Sequence, residues 1–513
     1  MRLLSAGAVA AVVSGCGATS DVRQAVEAER AAPAGVSALA AGAPSTALAA
    51  GGPAFSDAAA PAAGSPAAGG TVATDTGTAT TTSNQSAKVG TGAAKPAAGA
   101  PGAAACGAAA PAGGNGGATD TGVSATSIKI GGTFFNGGFL DKYGQAAESS
   151  ARAYFDYVND SGGICGRKVE YIPCDTAGTA NGTTGCLTKL ADQDKVFAMG
   201  PSLDFNLDIV QTTLDQRKLP WVGSSGLYDA EFTSPWMFPT QIPGSAVGAL
   251  ITTHTIRELG LKKIGVSFLR NGAGPSCTEQ TKKTAAALGG QVVQTSGNGD
   301  VETSLDSQVA ALKNAGAEAV LFCNDPVNTV KYIQAAQRVG WHPLFFGGFV
   351  AAADVPQAAG TYGKGMYGLT MYDFYGANTP GVQQYRKITE FYFPNTFHHF
   401  YEQVTYVGAA AIVAALRATG PDVTRAAFLT QLKKMRSFDV GLGLKLDFAN
   451  LRGATPSGVI IKADDSLQWQ VASKRFTPAG SAGSAVSGVA APSMAATLDN
   501  RQRATAAGRR ALI

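Results

Sequence analysis

Ile128-Lys129-Ile130-Gly131-Gly132-Thr133-Phe134 reads as a strand, and the residues after it decide the fold. Residues 146–158 place Ala147, Ala151, Tyr154, Phe155 and Val158 on one face at helical spacing. Asn159-Asp160-Ser161-Gly162-Gly163 stops that helix, and residues 168–173 form a second strand. Each strand is a continuous apolar run, not an alternating one, so both of its faces are covered. That pattern belongs to parallel sheets flanked by helices.

The rhythm continues in both directions along the chain. A helix through Leu187 and Leu190 leads to a strand at 196–199, a helix at 205–216 and a strand at 219–222. It restarts with strands at 263–269, 291–295, 319–323 and 343–346, separated by helices at 278–288, 305–315 and 327–339. Helices at 380–392 and 401–417 follow, then short strands at 445–448, 459–462 and 467–471. One βα series fills 126–240 and a second fills 262–370, each long enough for a Rossmann-like lobe. The fold class is therefore α/β, with two doubly wound parallel sheets. Two such lobes facing each other make a cleft at the carboxyl ends of their strands.

Not all of the 513 residues can fold this way. Between Ala31 and Thr119 the charged residues are Asp57, Asp75, Lys88 and Lys95, and the rest is mostly Ala, Gly, Pro, Ser and Thr. Such composition cannot offset the entropy of ordering the chain. Residues 16–123 read as a disordered tether, and 478–513 as a disordered tail with Arg501, Arg503, Arg509 and Arg510 at its end. At the other end, Arg2 precedes an apolar core at 3–13, too short to span a bilayer. Val13-Ser14-Gly15-Cys16 then resembles the lipobox of bacterial lipoproteins. That makes 1–15 a cleaved signal peptide, and Cys16 the acylated first residue, anchored outside the cytoplasm.

A formal charge of +4 without an aromatic-laced basic stripe argues against nucleic acid. The seven Cys fit an exported protein. Cys174 ends a strand and Cys186 opens the next helix. Cys277 and Cys323 each follow a strand whose neighbour carries the other. The pairs Cys174–Cys186 and Cys277–Cys323 follow, while the roles of Cys106 and Cys165 stay open. No CxxC spacing supports zinc. Neither a P-loop, a GxSxG elbow, a GxGxxG after the first strand nor an HExxH occurs, so the chain reads as a binder and not an enzyme. His398-His399 are adjacent, are assigned no acidic partner, and give no metal site. No cofactor is expected.

Several segments, in order, carry a family resemblance. They are Ser127-Ile128-Lys129-Ile130-Gly131, Tyr143-Gly144, and Tyr157-Val158-Asn159-Asp160-Ser161-Gly162-Gly163-Ile164 with Gly166-Arg167-Lys168-Val169. Val196-Phe197-Ala198-Met199-Gly200 and Leu219-Pro220-Trp221-Val222-Gly223-Ser224-Ser225 follow, then Lys262-Lys263-Ile264-Gly265-Val266, Gly316-Ala317-Glu318-Ala319-Val320 and Ala335-Ala336-Gln337-Arg338-Val339-Gly340. The chain resembles the type I periplasmic solute-binding proteins, in the leucine/isoleucine/valine-binding branch that serves ABC importers.

The resemblance implies a three-segment hinge, with lobe 1 at 124–245 plus 372–438 and lobe 2 at 246–371 plus 439–477. It implies a monomer that holds a small polar solute, an amino acid or a relative, and passes it to permease subunits. A sensor subunit on the same fold is the alternative. The implied ligand contacts are Tyr143, Asp204, Ser225, Gly226, Leu227, Asp325, Phe349 and Tyr406. A ligand carboxylate would meet Ser225 and the Gly226 and Leu227 amides. Asp204 stands where the family has a hydroxyl, Asp325 where it has a Tyr, and Phe349 near its ammonium-binding acid. Those departures loosen the case for an α-amino acid. Asp325 is the residue that would pair an ammonium.

Overall fold

The computed structural model describes residues 106–137, 140–300, 302–395 and 397–478. The signal peptide, Cys16, the tether up to residue 105 and the tail from 479 lie outside the described residues. Among the described residues no helix is long and apolar enough to cross a membrane.

The chain begins with β1 (Ser127–Phe134), α1 (Asp141–Asp160), β2 (Lys168–Asp175), α2 (Ala180–Thr188), β3 (Ala198–Met199), α3 (Gln211–Arg217), β4 (Trp221–Val222), α4 (Asp229–Thr233) and β5 (Met237–Phe238). It crosses to α5 (Gly244–Arg257), β6 (Lys263–Leu269), α6 (Gly274–Ala287), β7 (Gln291–Asn298), α7 (Asp306–Asn314), β8 (Ala319–Cys323), α8 (Pro326–Arg338), β9 (Leu344–Gly347), α9 (Val355–Ala358) and β10 (Tyr367–Thr370). It then returns for α10 (Pro380–Tyr392), α11 (Phe400–Thr419) and α12 (Arg425–Leu432). A last crossing through β11 (Leu446–Asp447) and β12 (Gly453–Ala454) ends in β13 (Val459–Ala463) and β14 (Trp469–Val471).

Two sheets result. Lobe 1 has the order β2-β1-β3-β4-β5, with every pairing parallel. Lobe 2 has the order β14-β13-β10-β9-β8-β6-β7. Strands β6 to β10 pair in parallel, whereas β13 runs antiparallel to β10 and β14 to β13. That edge departs from the all-parallel expectation because the chain re-enters lobe 2 from the hinge, without a crossover helix to reverse it. The crossing segments are stitched together. Tyr372 Oη donates to Thr240 O, Asp373 N–H to Leu442 O at 2.8 Å, and Arg475 pairs with Asp373 at 2.9 Å.

The core explains the apolar runs. Ile128, Ile130, Phe134, Trp221 and Val222 are fully buried in lobe 1, and Val266, Leu321 and Phe322 in lobe 2. Tyr154 and Tyr385 both meet Tyr406 edge-on, which seats α11 against α1 and α10.

Composition predicts a tether to residue 123, but residues 106–123 are packed on lobe 1. Cys106 is bonded to Cys165, so neither is free. Thr119 Oγ1 donates to Val423 O at 2.5 Å, and Asp120 accepts from Arg425 N–H at 2.6 Å. Arg167, fully buried, donates to the carbonyls of Ser124 at 2.7 Å, Pro421 at 3.0 Å, Gly117 at 2.9 Å, and Asn115. A disulfide and one guanidinium thus order a stretch that has too little apolar surface to order itself.

Cys174 is joined to Cys186, and Cys277 to Cys323. Two placements differ from expectation. Cys186 sits in the last turn of α2, and Cys277 lies inside α6. The helix expected over 205–216 is interrupted. Only Leu207–Ile209 make a 3-10 turn before α3 starts at Gln211, because Phe205 turns away to stack on Phe135 at 4.5 Å.

Candidate functional site

In each sheet the strand order reverses beside the first strand of the series: between β1 and β3 in lobe 1, and between β6 and β8 in lobe 2. Open α/β sheets bind ligands outside the carboxyl ends of strands at such points. The loops leaving these ends line a narrow cavity that is open to solvent on one side. Lobe 2 supplies Leu269 at the end of β6 with Gly272, Ala273 and Gly274 beyond it, Cys323 at the end of β8 with Asn324 and Asp325, and Phe349 past β9. Lobe 1 supplies Phe205 past β3, Leu227 past β4, and Tyr401 in the first turn of α11.

Local chemistry holds these walls in place. At Gly274 an added Cβ would lie 1.9 Å from Leu269 O, so only glycine lets α6 start this close to its strand. The Cys277–Cys323 bond ties α6 to the end of β8 beneath the cavity. Asn324 donates to Asn298 Oδ1 at 2.6 Å and Ser267 Oγ at 3.2 Å. Asp325 caps α8, accepting from Asn328 N–H at 2.9 Å and Asn328 Nδ2 at 2.7 Å. Burial raises the pKa of the Asp325 carboxyl, and the Asn328 donors offset part of that.

Of the expected contacts, the structure brings Leu227, Asp325 and Phe349 together on this cavity. The others stand elsewhere. Asp204 is fully buried beneath the loop. Its carboxylate accepts from Thr183 Oγ1 at 2.9 Å and Asn206 N–H at 3.2 Å, and its own N–H goes to Ser225 Oγ at 2.7 Å. Asp204 and Ser225 therefore brace the loop. Tyr406 is spent on the helix packing of lobe 1. Tyr143 lies between the starts of α1, α8 and α9, beside a second, open hollow shared with Lys142, Val327 and Asp354.

The Gly226 and Leu227 amides are already occupied. Glu231, fully buried, accepts the N–H groups of Gly226 at 2.7 Å, Leu227 at 2.9 Å and Tyr228 at 3.0 Å. Gly226 has φ +65°, and an added Cβ there would lie 2.5 Å from Gln241 Cγ, so the turn that aims these amides needs glycine. Burial pushes the Glu231 carboxyl up to about 7 against the pull of these backbone hydrogen bonds.

Sequence reading passes over Phe205, Leu269, the Gly272–Gly274 turn and Tyr401 as site residues. The strand-end rule applied to β6 would have found Leu269 and the turn. Tyr401 leaves no such signal, since it starts a helix that follows no strand.

The lobes also touch beyond the cavity. Lys142 of lobe 1 pairs with Asp354 of lobe 2, and Tyr143 Oη reaches Asp354 at 3.5 Å. Ala352 and His399 form a β-bridge, and Phe400 N–H donates to Ala351 O at 3.1 Å. His398 does have an acidic partner. Glu402, one helical turn on, meets its Nδ1 at 3.0 Å and raises its pKa. Among the described residues no group of three His, Cys, Asp or Glu is placed to hold a metal.

The architecture and the comparisons agree on the class. A family model described as "Periplasmic binding protein" matches residues 127–459, and the chain belongs to that family. Its two-lobed α/β fold is the type I form. A search of curated proteins returns no match. Among solved structures, a possible leucine/isoleucine/valine-binding protein from Rhodopirellula baltica SH 1 is 17% identical, with TM-score 0.62, covering 68% of this chain and 96% of its own. A fatty acid ABC transporter substrate-binding protein from Thermomonospora curvata is 22% identical, with TM-score 0.63, covering 72% and 97%. An R. palustris ABC transporter solute binding protein in complex with 4-hydroxybenzoate is 18% identical, with TM-score 0.62, covering 69% and 97%.

Proposed function

We propose that this protein captures a small organic solute in the interlobe cavity, outside the cytoplasm, and delivers it unchanged to the permease subunits of an ABC importer. The observation that carries this reading is the position of the cavity. It lies at the strand-reversal points of two sheets joined by three crossing segments, so closing the lobes encloses whatever sits there. Mostly apolar walls favour a solute with an apolar body over the strongly polar amino acids. The similarity to a fatty acid ABC transporter substrate-binding protein and to a solute binding protein in complex with 4-hydroxybenzoate supports that preference.

Cys16 carries the lipid in this reading, and the low-complexity stretch spaces the lobes from the membrane. Because residues 106–123 belong to lobe 1, a deletion testing the spacer should remove 20–100 and spare Cys106. Solute affinity is then expected to hold while uptake falls. Unchanged uptake would remove the spacer's role. The binding reading itself is tested by thermal melting of the mature protein against a panel of small organic solutes. At 100 times its dissociation constant a true ligand adds about 2.7 kcal/mol of stability. A panel without one stabilising compound contradicts the reading, and so does a compound that is chemically altered on incubation.

A further inference from the structure

We propose that the cavity is built for a solute without a carboxylate: an apolar body whose ammonium or hydroxyl head donates to Asp325. This inference rests on the binding reading above and narrows it. The side chains of the walls offer a carboxylate no cationic partner. Among the described residues that line the cavity, none is Lys, Arg or His. The one charged side chain there is Asp325, which is 6% exposed and would repel a second carboxylate.

On the lobe 1 side, Gly226, Leu227 and Tyr228 present successive N–H groups, the kind of concave donor set that holds anions. The chain fills that set with its own Glu231 carboxylate, at 2.7, 2.9 and 3.0 Å. An incoming carboxylate would have to displace a fully buried side chain that makes all three contacts.

The opposite wall has spare capacity of the other sign. Asp325 accepts from Asn328 N–H and Asn328 Nδ2, with the Val327 N–H also turned toward it, and two carboxylate oxygens offer about four acceptor sites in all. Asn324 beside it is fully engaged with Asn298, Ser267 and the Asp325 N–H. A donor head placed against Asp325 therefore meets the free acceptor of the cavity, and Phe205, Leu227, Leu269 and Phe349 cover its body.

The test uses mature protein and matched probes: butyl, isoamyl and benzyl skeletons, each as amine, alcohol and carboxylate, followed by calorimetry and melting. Amines or alcohols are expected to bind at least tenfold more tightly than the carboxylate of the same skeleton. Asp325→Asn, which retains the helix cap, is expected to weaken the amines at least tenfold. A carboxylate that binds best overturns the inference and leaves the binding reading intact. If all nine probes are silent, the head group of the solute found in the wider panel decides in the same way. An empty wider panel brings down both.

A second arm needs no solute. Glu231→Ala should melt lower than wild type and be partly restored by millimolar formate, which wild type ignores. If Glu231→Ala does not fold, Glu231→Ser leaves nearly the same space and should show the same gain in melting temperature from formate. Absence of formate rescue in the folded variant overturns the claim that Glu231 fills an anion site.

Discussion

Arg167 sets the terms at the scale of single residues. Its guanidinium is out of water and meets four main-chain carbonyls, drawn from the 106–123 strap, Ser124 and the α11–α12 turn. Removing it leaves those oxygens dry and unpaired, at about 1–3 kcal/mol for each group left so. Arg167→Ala is expected to lose roughly 3 kcal/mol in urea unfolding. Arg167→Lys should recover only part, since an ammonium cannot span four acceptors spread over a fork.

The pH response is set by groups with opposite signs. His254 sits among the rings of Phe346, Tyr367 and Phe476, and burial pushes its pKa down to about 4 from 6.5. Below pH 6.5 the unfolded chain takes up a proton that the folded chain refuses, so stability from this site is complete above 6.5 and is lost as pH falls toward 4. Glu231, raised to about 7 from 4.5, contributes fully below 4.5, and that contribution is lost as pH rises toward 7. Melting curves should therefore flatten on the acid side in His254→Phe, and between pH 4.5 and 7 in Glu231→Gln. An unchanged profile in either variant contradicts the corresponding assignment.

At the scale of elements, the disulfide from Cys106 to Cys165 holds the strap that Arg167 caps. It closes a 59-residue separation, for which the chain-entropy argument gives about 4 kcal/mol. Cys106→Ser is expected to destabilise lobe 1 by up to that amount and to open residues 106–123 to proteolysis, with β1 and β2 still protected. Protection of 106–123 in that variant would show that the strap holds without its bond.

The same elements mark how far sequence reaches. The alternation from Ile128 to Phe346 was legible because each strand is apolar on both faces and each helix repeats at its own period. The strap was not, because Ala108, Ala109 and Ala110 carry no pattern and its order comes from a partner 59 residues away. α5 was missed because it is buried almost all round and so lacks a polar stripe. At the site, Leu227, Asp325 and Phe349 were implied by the family resemblance, which puts ligand contacts in the loops after the strands. Glu231 was not, since nothing local tells that a carboxylate four residues beyond Leu227 will fold back onto three amides.

For the molecule as a whole, the two lobes are held around the cavity by contacts that can separate. The Lys142–Asp354 pair is partly exposed, so it contributes no more than about 1 kcal/mol and is weakened by salt. Asp354→Asn is expected to weaken solute binding by up to about fivefold, mainly through faster release, with the difference shrinking at high salt. An effect that ignores ionic strength would mean that the pair does not hold the lobes. The central claim is that the solute lies between the lobes at the ends of β3, β4, β6 and β8. Crystallography of the solute-loaded protein tests that most directly. The account predicts density for one intact molecule enclosed by Phe205, Leu227, Phe349 and Tyr401, with its donor head on Asp325. Density for the solute anywhere else, with this cavity empty, would contradict it.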